Sequence, residues 1–298
     1  MSQEQLAYIL TKSNENPPPD NLTPQTLRAW FEEINAHTPI VDDCSFERVR
    51  CTRLGGDLTS LPDTDQSKLI IYYHSGGFMM GSSRSHRVIT TNLVRLSGCA
   101  LLSVDYRLLP EHPRPAAYED ALAAYQWALD QGYSASRIAL AGDSAGAHLA
   151  LATAVRAKQA GLPVPGALVL FSGAFDFAGD GASHTELADA PLLNQELMQL
   201  FGNTYVGSGD PRSPEVTPLY ADFSGLPATL VHVGSWELLR DDSIEVTRRL
   251  QEYGVAVELK VWEGMCHDWQ LFAPFLDEGM ESLAQAGAFM RKHLELIS

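Results

Sequence analysis

Residues 137–155 read RIALAGDSAGAHLALATAV. A short apolar run, Arg137 to Ala141, passes through GDSAG (142–146) into an alanine-rich run of helical composition. Glycines two before and two after a serine are a weak signal by themselves. Between a strand and a helix they acquire a physical reason. A tight strand-to-helix turn forces its central residue into unfavourable φ/ψ, and the neighbours must lack side chains for the backbones to approach. Such a turn thrusts Ser144 out at the carboxyl end of a sheet, where open α/β folds bind ligands. The rest of the chain decides whether Ser144 is a nucleophile or a serine in a loop.

Phe46 to Cys51 reads as a strand, and apolar runs of strand length recur at Lys68 to His74, Ala100 to Val104, Ala167 to Phe171, Ala228 to Val233 and Ala256 to Trp262. Helical patterns lie between most of them, at about 86–97, 116–130, 145–160, 241–253 and 278–296. This alternation predicts an α/β fold, a mostly parallel sheet covered on both faces by helices. Before the first strand come a short amphipathic stretch, Glu4 to Leu10, and a proline-rich link, Pro17 to Pro19. A helix from Pro24 to about Ala36 follows, with Thr23 as its N-cap. Residues 175–220 break the alternation. They contain no strand, one or two short helices and a Gly/Pro-rich exit, as an inserted lid would. The expected division is N-terminal cap helices over 1–45, a core over 46–174 and 221–298, and a cap insertion over 175–220.

Composition narrows the function. A net charge of −16 repels phosphates, which argues against nucleic acid and anionic membrane surfaces as partners. Cys44, Cys51, Cys99 and Cys266 show neither metal-ligand spacing nor a disulfide framework, so reduced thiols and a cytoplasmic location are expected. The start, MSQEQLAYILTKSNENPPPD, lacks the charge and apolar pattern of a secretory signal. No run reaches the ~18 apolar residues of a membrane span.

Two further motifs fit Ser144. HSGGF (74–78) directly follows a strand, and consecutive glycines let backbone N–H groups approach a developing oxyanion. Gly76 and Gly77 supply two donors, and Ala145, next after the serine, a third. A neutral serine also needs a base, and the base an orienting carboxylate. His267 follows the last strand and Glu237 the one before it, giving the chain order Ser, acid, His. Asp241 is the runner-up acid. Asp241 and Asp242 fit better as carboxylates at the N-terminus of the helix that follows. Other histidines are weaker bases by position. His293 lies on the terminal helix, His148 packs from the nucleophile's own helix, His112 sits in a structural loop, His184 is a solvated lid residue and His74 braces its loop.

These stretches resemble the hormone-sensitive-lipase-like (bacterial family IV) esterases of the α/β-hydrolase fold. The resemblance rests on HSGGF (74–78), DYRLLPEHPRPAAYEDA (105–121), GDSAG (142–146), ELLRDDS (237–243) and CHDW (266–269). It covers the chain from about residue 45 to the end. It implies an eight-stranded, mostly parallel sheet, a helical cap built from the N-terminal helices and the insertion, and ester hydrolysis without metal or organic cofactor. Two positions depart from the family's pattern. Ser75 stands where the first of three glycines is usual, and Glu237-Leu238 where an Asp-Pro-Leu type of motif is usual.

The expected reaction is hydrolysis of short- to medium-chain carboxylic esters through an acyl-enzyme, with Ser144, His267 and Glu237 as the triad. Phe78, Met79, Phe201, Tyr205, Trp236 and Trp269 are the candidates for the substrate pocket. Activity is expected to rise as His267 becomes neutral and to level off from about neutral pH. The alternatives are a lactone hydrolase, an N- or O-deacetylase with the same triad, and a non-catalytic small-molecule receptor. A receptor has no need of all three triad members. Ala256 to Trp262, as the last strand, is expected at a sheet edge and open to pairing in a homodimer.

Overall fold

A computed structural model describes residues 2–21, 23–51 and 53–295. Its centre is an eight-stranded sheet in the order β1-β2-β4-β3-β5-β6-β7-β8. The strands are β1 (Ser45–Cys51), β2 (Leu54–Ser60), β3 (Asp65–Tyr73), β4 (Cys99–Val104), β5 (Ile138–Asp143), β6 (Ala167–Phe171), β7 (Ala228–Gly234) and β8 (Val257–Trp262). β1 with β2 and β2 with β4 pair antiparallel; every other pairing is parallel. Strands buried on both faces are read as continuous apolar runs, and β4, β5 and β6 are buried at every residue. β2 (LGGDLTS) carries no such run and has no counterpart among the sequence-predicted strands. Its glycines have a packing reason. A Cβ on Gly56 would stand 2.4 Å from the Ser103 carbonyl oxygen of β4. β8 lies at the sheet edge, as expected.

Nine α-helices surround or precede the sheet among the described residues. α3 (Arg87–Ser97), α4 (Ala116–Asp130), α5 (Ala145–Gln159), α8 (Arg240–Glu252) and α9 (Asp277–His293) match the expected helical segments within a few residues. α5 is buried over its first turns because alanines let it lie close against the strands. α1 (Ser2–Glu15) and α2 (Pro24–Ala36) come first. Thr23 caps α2, accepting the Thr26 N–H. Arg28 of α2 donates to the Met79 and Leu109 carbonyls, tying this helix to the loops after β3 and β4. Leu6 and Ile9 of α1 join Trp262, Met265, Cys266, Trp269 and Leu276 in a satellite apolar cluster. No described helix is long and apolar enough to cross a membrane.

The segment 175–220 contains no strand, only α6 (Ser183–Glu186), α7 (Gln195–Val206) and a 3₁₀ turn at Pro218–Tyr220. Its attachment corrects two sequence expectations. α8 begins at Arg240, so Asp241 and Asp242 lie in its first turn, but their side chains serve the insertion. Asp242 accepts the Phe175 and Asp176 N–H groups, and Asp241 accepts that of Ser183. His184 is buried, not solvated, with Nε2 2.7 Å from Asp242 Oδ1. Burial works against a charged His184, but Asp242 outweighs it and raises its pKa above the ordinary value. Pairs 58 residues apart in sequence have no local signature.

Candidate active site

Ser144 stands between β5 and α5 with φ 51° and ψ −116°. A non-glycine residue there is strained by about 1–3 kcal/mol, so its surroundings must hold it. Its N–H donates to the Phe171 carbonyl at 2.9 Å, and its carbonyl accepts the Ala174 N–H at 3.3 Å. The flanking glycines are obligatory. A Cβ on Gly146 would fall 1.8 Å from the Tyr73 carbonyl oxygen, and one on Gly142 would fall 2.4 Å from the Gly146 carbonyl carbon. The motif at 142–146 is therefore the strand-to-helix elbow that its composition suggests.

His267 and Glu237 complete a buried chain of contacts. His267 Nε2 lies 3.1 Å from Ser144 Oγ, and Nδ1 lies 2.7 Å from Glu237 Oε2. The other carboxylate oxygen of Glu237 accepts the Ser172 hydroxyl at 2.8 Å and the Gly234 N–H at 2.5 Å. These donors aim Oε2 at the imidazole. A neutral ring with its proton on Nδ1 donates to Glu237 and leaves Nε2 free to accept from Ser144. Burial opposes the imidazolium, but the Asp268 charge and the Glu237 contact outweigh it and raise the His267 pKa to about 9. The neutral base is thus favoured at alkaline pH, above the neutral onset expected from an ordinary histidine.

The loop after β3 bends back at Gly76 (φ 112°) and Gly77 (φ 60°). Neither glycine N–H has a protein acceptor among the described residues. Ala145, the first residue of α5, adds a helix N-terminal donor. Ser75 is buried, with its hydroxyl 2.9 Å from His86 Nε2. Phe201 of α7 covers this loop so closely that a Cβ on Gly77 would fall 2.4 Å from its ring. Phe78 stacks on Tyr205 at 4.2 Å between ring centroids, and Phe177 packs on the same tyrosine at 4.7 Å. Met79 is buried beside them in sequence, its N–H donating to the Gly76 carbonyl. Phe78, Met79, Phe201 and Tyr205 thus gather at the glycine loop. The other two pocket candidates stand apart. Trp236 is 42% exposed in the turn after β7, and Trp269 is buried in the satellite cluster under α1. Two surface clefts, about 320 Å³ beside α2 and about 580 Å³ beside Arg114 and Arg156, do not include Ser144 in their linings.

Two of the competing histidines are held by other contacts. His148 is buried, its Nδ1 facing the Ala174 carbonyl and its Nε2 the Tyr118 hydroxyl, and burial holds its pKa down to about 3. His74 stacks on Tyr106 at 4.2 Å, and burial beside His86 lowers it to about 4. Sequence reasoning missed four polar side chains around the site: Ser172, His86, Asp143 and Asp268. Asp143 and Asp268 adjoin Ser144 and His267 inside the recognised motifs, which is the signal that could have drawn attention to them.

Comparison with known proteins gives the family and the fold. Residues 70–271 match a family model described as the alpha/beta hydrolase fold. An acetyl-hydrolase of Streptomyces hygroscopicus is 39% identical over 252 residues, covering 84% of this chain and 81% of its own. An esterase of Acinetobacter venetianus is 32% identical over 284 residues, covering 94% and 93%. The crystal structure of an esterase from the bacterial hormone-sensitive lipase family superposes with a TM-score of 0.94 at 38% identity, covering 98% and 99%. The chain therefore belongs to the hormone-sensitive-lipase-like esterases of the α/β-hydrolase fold and is a carboxylic ester hydrolase.

Proposed function

We propose that the chain is a serine carboxylesterase for short- to medium-chain acyl groups, acting through an acyl-enzyme on Ser144. The observation that carries this reading is the Ser144–His267–Glu237 chain of contacts, 3.1 and 2.7 Å long, built on a strained elbow. His267 takes the Ser144 proton as Oγ attacks the ester carbonyl. The N–H groups of Gly76, Gly77 and Ala145 receive the oxyanion of the tetrahedral intermediate. His267 then gives the proton to the leaving alcohol, and the acyl group stays on Oγ. Water, deprotonated by the same imidazole, releases the acid and restores the serine. Glu237 holds the tautomer and stabilises the imidazolium. Residues 175–220 act as a cap together with the N-terminal helices.

The acyl limit follows from Phe201. Its ring lies against Gly77, and Phe78, Phe177 and Tyr205 fill the adjoining space. A small acyl group demands little displacement of these rings, whereas a long one must move α7. With a series of p-nitrophenyl esters, kcat/KM is expected to be highest from acetate to butyrate. It should fall by at least about tenfold by laurate, about 1.4 kcal/mol of lost complementarity. A maximum at laurate would overturn the acyl assignment. Faster opening of lactones or aryl acetamides in the same assay would overturn the ester preference.

A further inference from the structure

Asp268 follows His267 directly, in the left-handed region with φ 52° and ψ 35°. Its Oδ2 lies 3.3 Å from His267 Nε2, the same nitrogen that faces Ser144 Oγ. The side chain is buried, and Oδ1 has no hydrogen-bond partner among the described residues. A buried carboxylate left half-satisfied costs stability, so its remaining contact needs a reason.

The neighbouring ionisable groups are largely committed elsewhere. Asp143, at the end of β5, accepts the Tyr72 hydroxyl of β3 at 2.7 Å and lies 3.2 Å from His86 Nε2. Burial works against a charged Asp143, but His86 outweighs it and keeps its pKa below the ordinary value. Asp143 in turn raises His86 against the same burial. The two face each other as a buried acid–base pair. Glu237 is held by Ser172, Gly234 and His267 Nδ1. His267 Nε2 is left as the partner of Asp268.

We propose that Asp268 is a second carboxylate on His267, its charge beside Nε2 holding a proton on the imidazole. That proton keeps the resting base from accepting from Ser144 and gives ester hydrolysis an alkaline onset. The inference rests on the reading of His267 as the general base. When both groups are free of the proton, Nε2 presents its lone pair to Ser144. When the proton is present it sits on Nε2 with the Asp268 carboxylate beside it, and it must pass to solvent before acylation begins. Charge supports the geometry. Burial raises Asp268 to about 7 against the opposing pull of His267, with Asp143 and Glu237 adding to the rise. Against burial, the Asp268 charge is the largest influence raising His267 to about 9. The two carboxylates around the ring favour its charged form, so the base is freed only as the pH rises.

Asp268→Asn removes the charge and keeps a residue that tolerates a positive φ. Asp268→Gly tolerates it fully and serves if the asparagine variant folds poorly. The pH profile of kcat/KM for p-nitrophenyl acetate is compared with the NMR titration of the His267 ring in a Ser144→Ala background. Both the rising limb and the ring titration are expected to move down by at least about one unit. That corresponds to about tenfold more neutral base near neutral pH. An unmoved limb and an unmoved ring titration in a folded variant would overturn the proposal; a merely structural Asp268 predicts that result. Failure of the triad reading appears separately, as turnover surviving Ser144→Ala, while the ring titration still reports on Asp268.

Discussion

Ser144→Ala is expected to remove nearly all turnover, with kcat falling on the order of 10⁴–10⁶. Alanine has no oxygen to attack the ester, and the N–H donors of Gly76, Gly77 and Ala145 sustain only slow attack by water. The fold should survive. The elbow is held by the Phe171 and Ala174 backbone bonds and by the close contact of Gly146 with β3, none of which uses the Ser144 side chain. Steady-state hydrolysis of p-nitrophenyl butyrate alongside a thermal melt checks both halves. A variant keeping a tenth or more of the activity, with an unchanged melt, would reject Ser144 as nucleophile.

Glu237→Gln should lower kcat by roughly 10²–10⁴, and for a tautomeric reason. Oε1 accepts from Ser172 and Gly234, so a glutamine keeps its oxygen there and turns its NH₂ toward His267 Nδ1. Nδ1 must then accept, which places the ring proton on Nε2, where it blocks transfer from Ser144. The loss falls on kcat, and the melting temperature changes little because shape and donors are retained. Asp241→Asn tests the rival acid. Asp241 binds the Ser183 N–H and Arg240, so its loss should loosen the insertion and spare the chemistry. A kinetic loss that follows Asp241 and spares Glu237 would reverse the assignment.

Much of the fold is legible because a parallel sheet buried on both faces writes itself as apolar runs. ALVLF is β6 and ALLSV is β4 less its first residue, while KLIIYYH covers all of β3 but its first three residues. β2 escaped because LGGDLTS pairs antiparallel through a close backbone approach at Gly56, which hydrophobicity does not record. Its place in an eight-stranded sheet came from the family resemblance. Ser144, Glu237 and His267 were legible one by one, each just beyond a strand that ends at the same edge of the sheet. What those residues lean on was not. Ser172 aims Glu237 from 65 residues away, and His184 meets Asp242 from 58. Such pairs exist only once the chain has folded. The pocket aromatics divide on the same ground. Phe201 and Tyr205, a helical turn apart on α7, reach the glycine loop together. The left-handed turn at Asp268 precedes Trp269, whose ring lies in the cluster under α1.

The central claim is a covalent intermediate on one named oxygen. Rapid acid quenching of the enzyme during turnover of p-nitrophenyl acetate, followed by peptide mass spectrometry, tests it most directly. The expected result is an acetyl group on the peptide containing Ser144, assigned to that residue, appearing with the burst of p-nitrophenol and disappearing as substrate is exhausted. Full turnover with no acetyl on Ser144 at any quench time, or the kinetically competent label on another side chain, would contradict the account.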